Sequence, residues 1–436
     1  MASLPGQGPE KEATTSSSAG DDITQPGSFG SKSIGLLGSV MLLTNNLAGP
    51  TVVLMPALAQ EAGWLAMIAT MIFLAELSAI CGTMLLAAMR NIPGNEDFSL
   101  RVEYHDIVRN YFPDPIATLA IFCYHSYLTL TLMSYIISSA QVLDFAAMDF
   151  FGCAYGLELW PQISTLCGST EDSSTPFGQV IVVPGSFLLV ALICTPFAVK
   201  NLDDNVALQV FAIVGFTGIA GLWIYIMEKE FFSRSVPTPL PMATKSQGNL
   251  FSTLLFNFAF MSTIPSWANE KHSKVSVGWS FCLTMSYLVV VYATIGIVGG
   301  LAYPPYFDTD ATLFSKLNGS GSRMAEISVI AYPMLQNFTS IPVFSVLIRY
   351  NLNQAGWSAR VSTVMAVGMP WVLSIPFYTG KGFENLSEVG GLWTSSVINF
   401  IVPVAVYCIS RQRLHRRKFL EGENGIRYNP VPVSDP

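Results

Sequence analysis

The chain has 436 residues, 51% of them apolar and only 12% charged, with a formal net charge of −7 and a mean hydropathy of +0.46. Soluble domains carry about a quarter charged residues, so this composition excludes an ordinary soluble protein and points to a polytopic membrane protein. The thin, net acidic charge gives no basic field for nucleic acid. Seven cysteines without CxxC or zinc-type spacing give no metal framework.

Residues 1–33 are rich in Ser, Gly, Pro and acids without apolar periodicity, which predicts a disordered tail. No signal peptide is expected, because the first apolar run, from Ile34, leads into many others. A spanning helix needs about 20 largely apolar residues. Ten segments qualify, near 34–60, 63–89, 115–141, 180–199, 206–227, 249–268, 277–301, 324–347, 360–379 and 387–410. With both termini cytoplasmic, 16 of the 22 Lys and Arg residues fall on the inner side, the arrangement that topology rules favour.

Within the inner loop 90–114, Leu100, Tyr104, Ile107, Val108, Tyr111 and Phe112 recur at helical spacing. They predict a short amphipathic helix lying at the interface, with His105 solvated on its polar side. The sequons at Asn318 and Asn385 fall in outer loops, where glycosylation is expected, whereas Asn337 lies inside the eighth segment. Cys153 and Cys167 share the outer loop 142–179, where an oxidising setting permits a disulfide. The other five cysteines sit in apolar runs as small hydrophobes.

The first segment contains "LLTNNLAGPTVVLMP", with Asn45, Asn46, Gly49 and Pro50 at its middle. Pro removes a donor and clashes with the preceding turn, and Gly loosens the backbone. In a bilayer such a break survives only where it is buried in protein or lines a cavity. The sixth segment, "LFNFAFMSTIPSWANE", places Asn257, Ser262, Thr263 and Pro265 at similar depth. Ten segments divide into five plus five, each half opening on an interrupted helix, the pattern that marks the binding site of an inverted-repeat transporter. Half-helix ends expose N–H and C=O groups suited to the carboxylate and ammonium of an amino acid.

Several stretches carry a family likeness. "NNLAGPTVVLMPALAQEAGW", "ICTPFAVKNLDDNVALQVFAIVG", "TLLFNFAFMSTIPSWANEKHSKVSV", "IPVFSVLIRYNL" and "VGGLWTSSVINFIVPVAVY" follow one another in order over residues 34–410. In these the chain resembles the amino acid/auxin permease family, most closely its sodium-coupled neutral amino acid transporter branch. The resemblance implies an all-α polytopic membrane fold of ten helices, a 5+5 inverted repeat with helices 1 and 6 broken. It implies secondary transport of neutral amino acids by ion-coupled alternating access. The chain departs from the family in two places. Gly49-Pro50-Thr51 stands where Gly-x-Gly is usual, and a basic then polar tail over 411–436 stands where many members have an eleventh helix.

On this reading Asn45, Asn46, Ala48, Gly49, Pro50, Thr51, Asn257, Met261, Ser262 and Thr263 are the candidate substrate site. Gln336, Asn337, Thr339 and Ser340 form a polar stripe in the eighth segment. In folds of this kind a sodium ion can sit between carbonyls of the first helix and hydroxyls of the eighth. Hard cations need oxygen ligands, which Thr339 and Ser340 would supply; the alternative is that both hydroxyls bond back to the preceding turn. The fifth segment has no mid-membrane Lys or Arg to replace the ion, which leans toward sodium, while Glu76 and His125 keep a proton route open. Tyr124 and Tyr127 would line a pocket or simply pack.

No cofactor, no ATP and no enzyme chemistry are expected. The spans hold no clustered metal ligands, no Ser/His/acid set and no GxxxxGK[ST] loop, and no repeated filter motif favours a channel. The remaining alternative is an amino acid sensor on the same fold that binds without turnover. The sequence leaves open the plasma membrane or a vacuolar or other internal membrane.

Overall fold

The computed structural model describes residues 32–169, 175–178, 180–233, 239–246, 248–303, 312–379, 391 and 393–424. Residues 1–31 of the tail expected over 1–33, the sequon Asn385 and the last residues from 425 lie outside them, whereas Ser33 is described and bonds to Asp203.

Helix occupies each of the ten predicted segments. The first is α1 (Leu36–Leu47), then a 3-10 turn (Pro50–Leu54) and α2 (Met55–Glu61), with a bend of 60° between its halves. Next come α3 (Trp64–Arg90), α4 (Tyr104–Tyr111), α5 (Asp114–Phe151), α6 (Gly185–Ala198) and α7 (Val206–Ser233). The sixth segment is split into α8 (Gly248–Asn257) and α9 (Ile264–Glu270). The chain continues through α10 (Val277–Ala302), α11 (Leu313–Asn318), α12 (Arg323–Gln354) and α13 (Ala359–Ser374). A π turn (Val397–Ile401) leads into α14 (Val402–Asn424).

Among the described residues, six helices are long and apolar enough to cross a membrane, and seven if the bent first pair counts as one span. The chain is therefore a multi-pass membrane protein. The segment carrying α12 is not among them, because its stripe of Gln336, Asn337, Thr339 and Ser340 is polar, and all four are buried within the protein.

Two local expectations are corrected. The loop 142–179 contains strand, which the all-α reading lacked. β1 (Ala154–Trp160) pairs antiparallel with β2 (Ser164–Gly168) and with β3 (Ile181–Pro184), in the order β2-β1-β3. Cys153 and Cys167 are joined across the start of this sheet, their Cα atoms 5.7 Å apart. α4 is not an interfacial helix. Tyr104, His105, Ile107, Val108 and Tyr111 are all buried, and α4 packs on α5, α12 and α14.

The packing has an internal regularity. α1 and α2 pack on α10, as α8 and α9 pack on α3; α7 packs on α10 and α14 on α3. α6 packs on α5 and α12, and α13 packs on α12 and α5. α3 meets α10, and α5 meets α12. Exchanging the first five helical segments for the last five leaves these neighbours unchanged, whereas the packing of α7 on α1 and α12 has no equally extensive counterpart. Ile34, just before α1, pairs with the chain leaving α9: its N–H donates to Glu270 O at 3.2 Å, and His272 N–H donates to Ile34 O at 2.9 Å.

Candidate functional site

The two interruptions face one another at the centre. A helix end leaves carbonyls without intrahelical partners, and buried ones must be satisfied. Gly49 cannot continue α1, because its N–H turns back to Leu47 O at 2.8 Å. Asn45 O, so released, accepts from Gln336 Nε2 at 2.7 Å. Leu47 O accepts from the Tyr292 hydroxyl at 3.4 Å, and Gly49 O from the Tyr332 hydroxyl at 2.8 Å.

The second break is treated in the same way from the other half of the molecule. Phe258 O accepts from Ser78 Oγ, and Ser262 O accepts from the Tyr124 hydroxyl at 3.0 Å. Met261 N–H donates to Asn399 Oδ1 at 2.9 Å. The donors for the first break stand on α10 and α12; those for the second stand on α3 and α5, their exchange partners in the packing.

The breaks also hold each other crosswise. Asn46 Nδ2 donates to Thr263 Oγ1 at 2.8 Å, and Thr51 Oγ1 donates to Asn257 Oδ1. Asn257, Met261, Ser262 and Thr263 are buried, as are Asn45 and Ala48. The predicted substrate-site residues are thus brought together, with backbone from Ala48 to Thr51 opposite backbone from Phe258 to Thr263.

The predicted ion residues part company. Thr339 and Ser340 are buried, and the Thr339 hydroxyl accepts from Asn45 Nδ2 of α1 at 3.0 Å while donating back to its own helix at Leu335 O. Ser340 Oγ is buried without a hydrogen-bond partner. Glu76 lies elsewhere. It is exposed on the outward face of α3, in a groove of about 790 Å³ lined also by Ala79, Thr83, Cys282, Ser286 and Tyr407. His125 is half-buried beside Tyr124, edge-on at 5.6 Å. Asn337 donates to Ser138 Oγ on α5 at 2.9 Å, away from the break. Tyr127 is buried in the core, and Asn318 is exposed at the end of α11.

Next to the second break, towards the 90–114 loop, lies a buried polar cluster. Glu103 accepts from Ser266 Oγ at 2.5 Å and from Asn269 Nδ2 at 2.8 Å, with no exposure to solvent. Burial pushes its carboxyl up to about 8, and burial likewise raises Asp106, which caps α4 reciprocally with Glu103, to about 6. Glu270 accepts from the Tyr350 hydroxyl at 2.7 Å and from Asp203 N–H at 2.8 Å. The Asn351 amide links Tyr124, at 3.0 Å, to the backbone N–H of His105.

Sequence reasoning missed Tyr292, Tyr332, Asn399, Ser78 and Gln209, each of which reaches a break or its flank. Lone amides inside apolar spans were the available signal for Gln209 and Asn399, since polar groups in a bilayer interior need partners.

No family model matches the chain, and no curated protein matches it. Among solved structures it is similar to Mhp1, a nucleobase-cation-symport-1 family transporter in a closed conformation with bromovinylhydantoin bound. The TM-score is 0.61 at 11% identity, over 91% of this chain and 82% of that one. At that identity the likeness shows a shared fold.

Proposed function

We propose that this chain is a secondary active transporter that moves neutral amino acids by ion-coupled alternating access through ten helices in two inverted repeats of five. The observation that carries the reading is the pair of facing breaks, each held by side chains from helices that exchange under the five-for-five swap. A fold of this kind can rock one half on the other around a fixed midpoint site. The likeness in fold to a symporter supports the class of function, and the motif resemblance to the amino acid/auxin permease family supports the substrate.

The substrate would sit between Ala48–Thr51 and Met261–Thr263, taking over backbone partners that side chains now fill. Gly49 O is held by Tyr332, Ser262 O by Tyr124 and Met261 N–H by Asn399. No ionised side chain stands at either break among the described residues, which favours a substrate of zero net charge. Both termini lie on the cytoplasmic side in this reading, supported by the placement of 16 of the 22 basic residues.

Uptake into proteoliposomes tests it, screened over neutral amino acids and 5-substituted hydantoins, with sodium and pH gradients applied separately. Accumulation of a neutral amino acid supports the proposal, accumulation of hydantoins alone would move the substrate class, and saturable binding without accumulation would favour a sensor.

A further inference from the structure

We infer that Gln209, Asn45 and Gln336 do with neutral amides what a coupling sodium ion would do between the first and eighth predicted helices, so that this chain holds no sodium there. The inference rests on the transporter reading for its bearing on coupling; its physical content does not.

A cation at this seam would need the oxygens that α1 and α12 expose to one another. Those oxygens already face N–H groups. Gln336 Nε2 is 2.7 Å from Asn45 O, Gln209 Nε2 is 3.0 Å from Thr339 O, and Asn45 Nδ2 is 3.0 Å from Thr339 Oγ1. The amide orientations agree with the chemistry of their protein partners. Backbone carbonyls only accept, so the nitrogens of Gln336 and Gln209 must face them. That turns Gln209 Oε1 toward Asn45, whose nitrogen answers it at 2.5 Å.

Asn45 and Gln209 are each 1% exposed, and Gln336 and Thr339 each 2%. Two buried oxygens, Asn45 Oδ1 and Ser340 Oγ on the residue after Thr339, have no hydrogen-bond partner. Hard cations need several oxygen ligands, and the other oxygens here already accept from N–H groups. A cation here would meet amide hydrogens, whose partial positive charge repels it.

The amides also supply what an ion would give the fold. The C-terminal carbonyls of α1 carry partial negative charge, and Gln336 meets one of them directly. Gln209, on α7, joins α1 to α12 through Asn45 and Thr339, so three helices are fastened without a net charge.

The test reads the ion without requiring transport. The unfolding temperature of the purified full chain is measured in sodium chloride and in choline chloride at equal ionic strength, alongside proteoliposome uptake. The expected result is the same unfolding temperature in both salts for the parent chain and for Gln209→Lys. Gln209→Glu, which replaces a donor by an anionic acceptor, should gain a saturable rise of roughly 2–4 °C in sodium.

A saturable sodium-dependent rise in the parent chain that Ser340→Ala removes overturns the inference. So does a folded Gln209→Glu chain that stays blind to sodium. If Gln209→Glu is not recovered folded, the parent and Gln209→Lys decide. A sodium-blind unfolding temperature with no uptake of any substrate would remove the transporter reading and leave this inference standing. Sodium-driven uptake with a sodium-stabilised parent would do the reverse.

Discussion

The Tyr332 hydroxyl lies 2.8 Å from the Gly49 carbonyl oxygen, joining α12 to the first break with a side chain only 1% exposed. A buried carbonyl that loses its donor costs about 1–3 kcal/mol. Tyr332→Phe should therefore lower the unfolding temperature. Tyr124→Phe, which frees Ser262 O at the second break, should cost a similar amount. An unchanged unfolding temperature in both variants would mean that other groups satisfy these carbonyls.

Gly49 separates two readings of the site. A Cβ built there meets Asn257 Oδ1 at 3.5 Å and Thr51 Oγ1 at 3.9 Å, ordinary contact distances. Gly49→Ala should fold and insert normally. Gly49→Leu pushes its branch into the Thr51–Asn257 bond and fills the space between the breaks, so uptake should fall to background with folded protein still present. Full uptake by the Leu variant would move the substrate site elsewhere.

Glu103 predicts a pH dependence. Its folded value of about 8 stands above the ordinary carboxyl value of 4.5 because burial disfavours the charged form. The folded state therefore holds its proton more tightly, and the stabilisation is complete below pH 4.5 and lost as pH rises through 8. Asp106, raised to about 6, adds to the fall over the acidic part of that range. The slope is about 1.4 kcal/mol per pH unit for one group. Glu103→Gln keeps a neutral hydrogen-bonding side chain and should flatten the dependence of unfolding temperature on pH between 5 and 8. A slope identical to the parent's would assign the effect to other groups.

The outer sheet offers a chemical count. With Cys153 and Cys167 joined, five free cysteines remain: Cys81, Cys123, Cys194, Cys282 and Cys408. Thiol labelling of the denatured, unreduced chain should find five groups, and reduction should raise this to the seven in the sequence. Seven thiols before reduction would show that the bridge does not form.

The breaks were legible because Asn-Asn-x-x-Gly-Pro and Ser-Thr-Ile-Pro contradict what an uninterrupted span requires. The partners of the breaks were not. Tyr292, Tyr332 and Tyr124 lie far along the chain, and nothing local separates a tyrosine that donates to a distant carbonyl from one that packs. Gln209 reads as one stray amide in an apolar run, and only the fold brings it to Thr339. Loop 90–114 had the right helix and the wrong surroundings. The spacing of Tyr104, Ile107, Val108 and Tyr111 shows an apolar face but not what covers it, and here Glu103 and His105 are covered too, while Arg109 stays exposed. β1 to β3 escaped notice because each is short and none has a sustained alternation of polar and apolar residues.

The two backbone bonds that Ile34 makes with Glu270 and His272 tie the lower half of the first interrupted helix to that of the sixth. The two behave like leaves of a door riveted along one edge. Parting one from the other requires both bonds to break. On the transport reading, opening toward that side would begin with the loss of both bonds.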